Sequence, residues 1–197
     1  MAVTSTPANS AIDICARALI LIGADPITSF DDGNNEALVA SNVYGDIARA
    51  SLTSSRWRFS TNQAILNRLT DAPTGRYDAA YQLPDGWLMT HAVTVNDTPI
   101  EYQTYGNKIY ADEDATSVVI LDYTYRAEET DFPSYFTIAL ELELARVFAF
   151  SLARDAQLAN LMAQQAQTAM MKARTIDSQQ QTTRKLNTSR FIAQRRS

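Results

Sequence analysis

The spacing of apolar side chains changes period twice along the chain, and that change limits the fold more than any single motif. Before Trp57 and after Phe132, apolar residues recur at three and four positions, as one face of a helix requires. Between Trp57 and Tyr125, aromatic and β-branched residues rise and turn dipeptides separate short runs, the pattern of antiparallel strands. Helices, strands and helices in that order predict an α+β fold. Residues 8–56 and 133–177 would form one helical bundle, residues 57–132 an inserted antiparallel β domain, and residues 178–197 a flexible basic tail.

Local signals set the expected boundaries. Ser10 with Asp13 three residues on reads as a helix cap, apolar spacing runs to Ile22, and Gly23 is placed to end the helix. A second helix is expected from about Asn34 to Ser54, pairing with the first as a hairpin, with a core stripe of Leu38, Ser41, Ala48 and Leu52 flanked by Val43, Tyr44 and Ile47. Strands are expected at 64–69, 78–82, 91–95, 100–105, 108–111 and 118–125, with tight turns at Asn96-Asp97 and Gly106-Asn107. Pro133 and Ser134 open a helix whose apolar residues, from Tyr135 to Leu152, lie nearly all round it, so it should pack on more than one side. Asp155 can cap a last helix to about Ile176 with one polar face.

At 46% hydrophobic and 20% charged residues, 197 residues suffice for a real core without disulfides. The one cysteine, Cys15, lies among apolar neighbours and reads as a small core residue. Residues 1–10 lack the pattern of a secretory signal, so cytoplasmic assembly is expected, and no run reaches the roughly 18 uninterrupted apolar residues of a spanning helix, so no membrane partner is expected. The net charge of -5 conceals an asymmetry: residues 172–197 hold seven Lys and Arg against Asp177 alone, which leaves the first 171 residues near -11. An acidic body with a basic end suits partner binding.

Recognisable chemistry is sparse. The lone His91 sits in a strand-like segment away from any metal-ligand spacing, and Asp112-Glu113-Asp114 lacks the alternation of a calcium loop. Phosphate-binding glycine motifs and a nucleophile elbow are missing. No enzyme activity, cofactor or metal is expected. Glu141 and Glu143 point to different sides of their helix, and one of them is expected to pair with Arg146 or with a neighbouring subunit. Two alternatives stay open: a tail-associated hydrolase of cell-wall or capsule polymer, using Glu128 or Glu129 with Asp131 as solvated linker acids, and a DNA-binding protein working through its basic tail.

The order of motifs resembles the tail tubular protein A family of short-tailed bacteriophages and similar adaptors of gene transfer agents. Residues 18–27, Ala-Leu-Ile-Leu-Ile-Gly-Ala-Asp-Pro-Ile, carry an apolar helix into a Gly-x-x-Pro turn. Arg56-Trp57-Arg58-Phe59 closes the second helix. Tyr81-Gln82-Leu83-Pro84-Asp85-Gly86-Trp87 and Tyr105-Gly106-Asn107-Lys108-Ile109-Tyr110 follow, then Phe132-Pro133 with Phe136, Ala139 and Leu140, and finally Ala173-Arg174 with Asp177. The resemblance covers roughly residues 8–180. It implies a structural virion protein: a head-to-tail adaptor ring, usually of twelve copies, between the portal protein and the tail nozzle protein, with genomic DNA passing through its lumen. Arg184, Lys185, Arg190, Phe191, Arg195 and Arg196 of the tail are expected to meet the portal or an adjacent subunit, and Glu141, Glu143 and Arg146 to serve a helix interface.

Overall fold

The computed structural model describes residues 7–71, 73 and 75–180. Four helices, α1 (Ala11–Leu21), α2 (Asn35–Thr53), α3 (Ser134–Ser151) and α4 (Ala156–Gln179), enclose in sequence seven strands: β1 (Thr61–Ile65), β2 (Ala79–Gln82), β3 (Trp87–Val95), β4 (Thr98–Pro99), β5 (Gln103–Tyr105), β6 (Lys108–Ala111) and β7 (Val119–Tyr125). The fold is α+β as the sequence implies, with the helices packed together and the strands inserted between α2 and α3.

Side chains cap three of the helix starts. Ser10 Oγ accepts from the Asp13 amide, Asn34 Oδ1 from the Ala37 amide, and Asp155 from the amides of Gln157 and Leu158. Gly23, at φ +76°, ends α1 where a side chain would meet the left-handed conformation.

Helix α3 organises the bundle. Phe136, Leu140, Leu144, Ala145, Phe148 and Ala149 are all inaccessible to solvent, and α1, α2 and α4 each pack against it. The expectation of a helix used on more than one side holds. The expected α1–α2 hairpin is only partial, because both helices lie chiefly on α3 and touch one another briefly. The expected core stripe of α2 is corrected as well. Leu38, 61% exposed, and Ser41 face outward, while Ala37, Ala40, Tyr44, Ala48, Ser51 and Leu52 face inward. That inner face is built largely of small side chains, which a search for large apolar residues overlooks.

The strands form two sheets, ordered β1-β7-β3-β4 and β2-β6-β5, with every strand pair antiparallel. Their facing sides share one cluster that includes Tyr81 and Ile109 from the smaller sheet and Val93, Leu121 and Tyr123 from the larger. Both expected turns are present: Asn96 and Asp97, at φ 50° and 62°, join β3 to β4, and Gly106, at φ 59°, joins β5 to β6.

Two expected strands differ from the structure for one reason. In place of a strand over 64–69, β1 ends at Ile65 and the chain changes partners. The Leu66 amide still donates to the Val119 carbonyl of β7, whereas the Leu69 amide donates to the Ala80 carbonyl of β2. Of the strand expected at 100–105 only β5, from Gln103, is formed, and residues 100–102 carry the chain across from β4 in the other sheet. Both segments are corners at which the chain crosses between sheets, so one apolar alternation serves two ladders. The strand expected at 91–95 begins earlier, at Trp87, and α4 runs to Gln179, past the expected end near Ile176.

Candidate assembly surfaces and the junction that orients them

The β unit leaves and rejoins the bundle at one place, because β1 and β7 pair there, Thr61 opposite Thr124. The aromatic residues that flank these strands gather into one cluster. Phe136 of α3 stands edge-on to Trp57 at 5.2 Å between centroids and lies 4.9 Å from both Phe59 and Phe132. Trp57 is wholly buried and its indole N–H donates to the Ser51 carbonyl at 2.9 Å. The Tyr125 hydroxyl at the end of β7 donates to the Phe59 carbonyl at 3.0 Å, so the exit of the insertion is tied to its entry.

Two polar clusters fix this junction from opposite ends of the chain. Asp177, buried in the last turns of α4, accepts the Arg58 amide at 3.2 Å and the Tyr135 hydroxyl at 2.8 Å. Burial and the hydrogen bond to Asp177 push the Tyr135 hydroxyl up to about 12. On the other side, Glu129 accepts from the Tyr44 hydroxyl of α2 at 2.8 Å and from the Arg126 guanidinium. Burial raises the Glu129 carboxyl, but these two hydrogen bonds, together with one from backbone and the charge of Arg126, outweigh it and hold the group below its ordinary value. Burial and the same glutamate raise Tyr44 strongly. The expectation that Glu128, Glu129 and Asp131 form a solvated linker is therefore corrected for Glu129, which is committed to a structural network. Glu128 and Asp131 remain exposed.

The other residues marked by the sequence fall as follows. Glu141 is buried on α3 and faces Arg17 of α1 at 3.8 Å. Its Oε1 makes no hydrogen bond, and burial raises its carboxyl against the lowering effect of Arg17. Glu143 pairs with Arg146 at 3.1 Å beside Ile47 and Ser51 of α2 and Met170 and Arg174 of α4. The structure thus puts Glu141 and Glu143 on different sides of α3 and in different contacts. Arg184, Lys185, Arg190, Phe191, Arg195 and Arg196 lie outside the described residues.

His91 is half-buried on β3, with Nε2 2.7 Å from Thr124 Oγ1, and burial lowers its pKa, helped by Arg56. Asp112 accepts the Asp78 amide at 2.9 Å, and no group of potential metal ligands occurs among the described residues. Cys15 is buried in the bundle core, which raises its thiol to about 12. The structure therefore offers surfaces and a rigid junction. In the sequence the residues of this junction stand in separate motifs with no local sign that they converge; Tyr44 is legible there only as a flank of the α2 stripe, and Arg126 carries no signal. The partners are up to 119 residues apart, as for Arg58 and Asp177.

No helix among the described residues is long and apolar enough to cross a membrane. No curated protein sequence matches the chain. The sequence model for tail tubular proteins does match, over residues 10–186, a span that takes in all four helices, both sheets and the junction. The chain belongs to the tail tubular protein family, structural components of the phage tail.

Proposed function

We propose that the chain is the subunit of a head-to-tail adaptor ring, of twelve copies, that joins the portal protein to the tail nozzle protein and encloses part of the DNA passage. The observation that carries this reading is the family match over nearly the whole chain, because it applies to the body as a unit. The geometry supports it. A helical body built on α3 and a β unit locked to it by the Asp177 and Glu129 clusters can transmit load without chemistry. The charge distribution supports it too, since a body near -11 repels phosphates and lets DNA slide, while the basic residues after Lys172 suit an acidic protein surface.

The geometry speaks against one of the two acid pairs considered for a hydrolase. Glu129, one of the acids weighed for such chemistry, is held by Tyr44 and Arg126. Electron microscopy of the protein mixed with purified portal tests the proposal. A twelve-fold ring stacked on the portal is expected, and portal particles without an added ring would refute it. Removal of residues 181–197, which leaves α4 whole, should abolish binding to the portal. Undiminished binding would remove the tail from the contact.

A further inference from the structure

Helices α3 and α4 leave an open apolar groove on one side of the bundle. Ile138 and Leu142 of α3 and Leu161, Ala169 and Lys172 of α4 line a hollow of about 540 Å³, which continues past Met171 and Ile176. Ile138, Leu161, Met171 and Ile176 are each roughly half exposed. From Leu161 to Ile176 the groove follows α4 for about 22 Å, at 1.5 Å per residue. Singly exposed apolar residues need no explanation, but here several lie along one groove, with Gln164, Gln165 and Thr168 between them, as a partly apolar contact surface would. Lys172 is the only charged residue in the lining of either part.

An exposed apolar residue beside an acidic turn stands elsewhere on the same chain. Leu38, the most exposed large apolar residue of α2, rims a hollow that also includes Phe30 and Asp31. The turn before it carries Asp25, Asp31, Asp32 and Glu36 and has no Lys or Arg between residues 25 and 36. Asp32 is held by the Thr28 and Ser29 amides at 2.7 and 3.0 Å, which lower its pKa, so the turn is both shaped and charged.

The two surfaces lie on different flanks of the bundle. Helix α2 approaches α3 beside Glu143, five residues and about 140° round the helix from Ile138. We propose that the α3–α4 groove receives Leu38 and the acidic turn of a second copy of this chain, with Lys172 opposite Asp31. Charge complementarity selects this occupant: Lys172 is the charged residue of the groove's lining, and the segment from residue 25 to 36 carries four acids and no Lys or Arg. Two different surfaces that fit one another make a head-to-tail contact, the kind that builds a ring when its constant rotation closes. The inference rests on the ring reading and specifies the subunit interface.

Disulfide trapping tests it on the full chain. A Leu38→Cys, Leu161→Cys double variant should give a ladder of covalent multimers on mild oxidation, with Cys15 buried and uninvolved. A Leu38→Cys, Ile65→Cys variant, in which Ile65 is an exposed residue of β1, should give no ladder. Equal ladders, or none from the first variant, overturn the proposal. Mixing the two single variants Leu38→Cys and Leu161→Cys should stop at covalent dimers. In the trapping background, Lys172→Glu should cut multimer yield roughly tenfold, and adding Asp31→Lys should restore it. Failure of that rescue also overturns the pairing. All these changes are at exposed positions, and unchanged melting curves would show that the fold is intact. If wild-type rings form on portal while trapping fails, the interface is wrong and the ring reading stands. If neither forms, both fall.

Discussion

The helical body and the β insertion are built to different standards of packing. The body surrounds one apolar helix, with Phe136, Leu140, Leu144 and Phe148 sealed from solvent by three neighbours. The insertion shares a smaller cluster between two short sheets and exposes apolar residues such as Ile65, Met89, Tyr105 and Val118. The body would keep most of its core if the insertion melted. The insertion cannot be positioned without the body, because Phe59, Tyr125 and Phe132 meet at Phe136 or at its neighbours. An orienting scaffold and a dependent, exposed unit suit a subunit that must present strands at a fixed angle.

The largest expected effect tests that dependence. Trp57→Ala removes a wholly buried indole from the junction and should cost about 3–5 kcal/mol, whereas Ile109→Ala, deep in the β cluster, should cost about 2–4 kcal/mol. Urea unfolding should distinguish them. Trp57→Ala should shift both the helical circular dichroism and the fluorescence of Trp87, which lies on β3. Ile109→Ala should shift the fluorescence and spare the helical transition. A helical transition that moves equally in both variants would mean that the two units unfold as one.

Asp177 sharpens the comparison at the point of contact. Asp177→Ala leaves the Arg58 amide and the Tyr135 hydroxyl without their buried acceptor, at an expected cost of about 1–3 kcal/mol. Because Arg58 begins the insertion, the loss should appear in amide exchange of β1 as well as at the end of α4. Faster exchange confined to α4 would show that the latch does not reach the insertion.

Much of this comparison could be read from the chain. The capping residues Ser10 and Asp155 and the turns Asn96-Asp97 and Gly106-Asn107 are local signals, decided by side chains within a few residues, and the structure contains each of them. Leu38 misled because an exposed leucine at helical spacing is indistinguishable by pattern from a buried one, while the true inner face of α2 is rich in alanine. The corners at 66–69 and 100–103 were hidden because alternation does not say which sheet a strand joins. The latches at Asp177 and Glu129 depend on partners 119 and 85 residues away, whose approach only tertiary packing determines.

Two glutamates should give smaller and opposite pH effects. Burial raises Glu141 above its unfolded value, so the folded state binds the proton more tightly, and this group lowers stability as pH rises through its folded pKa. Glu129 is lowered, so it stabilises above the ordinary carboxylate range and its contribution is lost as pH falls through its folded pKa. Glu141→Gln should therefore flatten the decline on the rising side, and Glu129→Gln should flatten the acid loss. Thermal melts between pH 3 and 7, roughly the range spanned by carboxylate titration, would show the two slopes. Like signs in the two variants would contradict these assignments.

The smallest effects come from one substitution made once in each unit. Arg154 stands at φ 54° just after α3, a left-handed position of the kind glycine favours beyond a helix end. Asp97 stands at φ 62° in the β3–β4 turn, another position that favours glycine. Arg154→Gly and Asp97→Gly should each relieve left-handed strain, for a gain of about 0.5–1 kcal/mol after the entropy of the unfolded chain is counted. If the body is the scaffold, Arg154→Gly raises both the helical and the Trp87 transitions, while Asp97→Gly raises the Trp87 transition alone. Because neither change disturbs the core, this pair tests the direction of dependence without the collapse that Trp57→Ala invites.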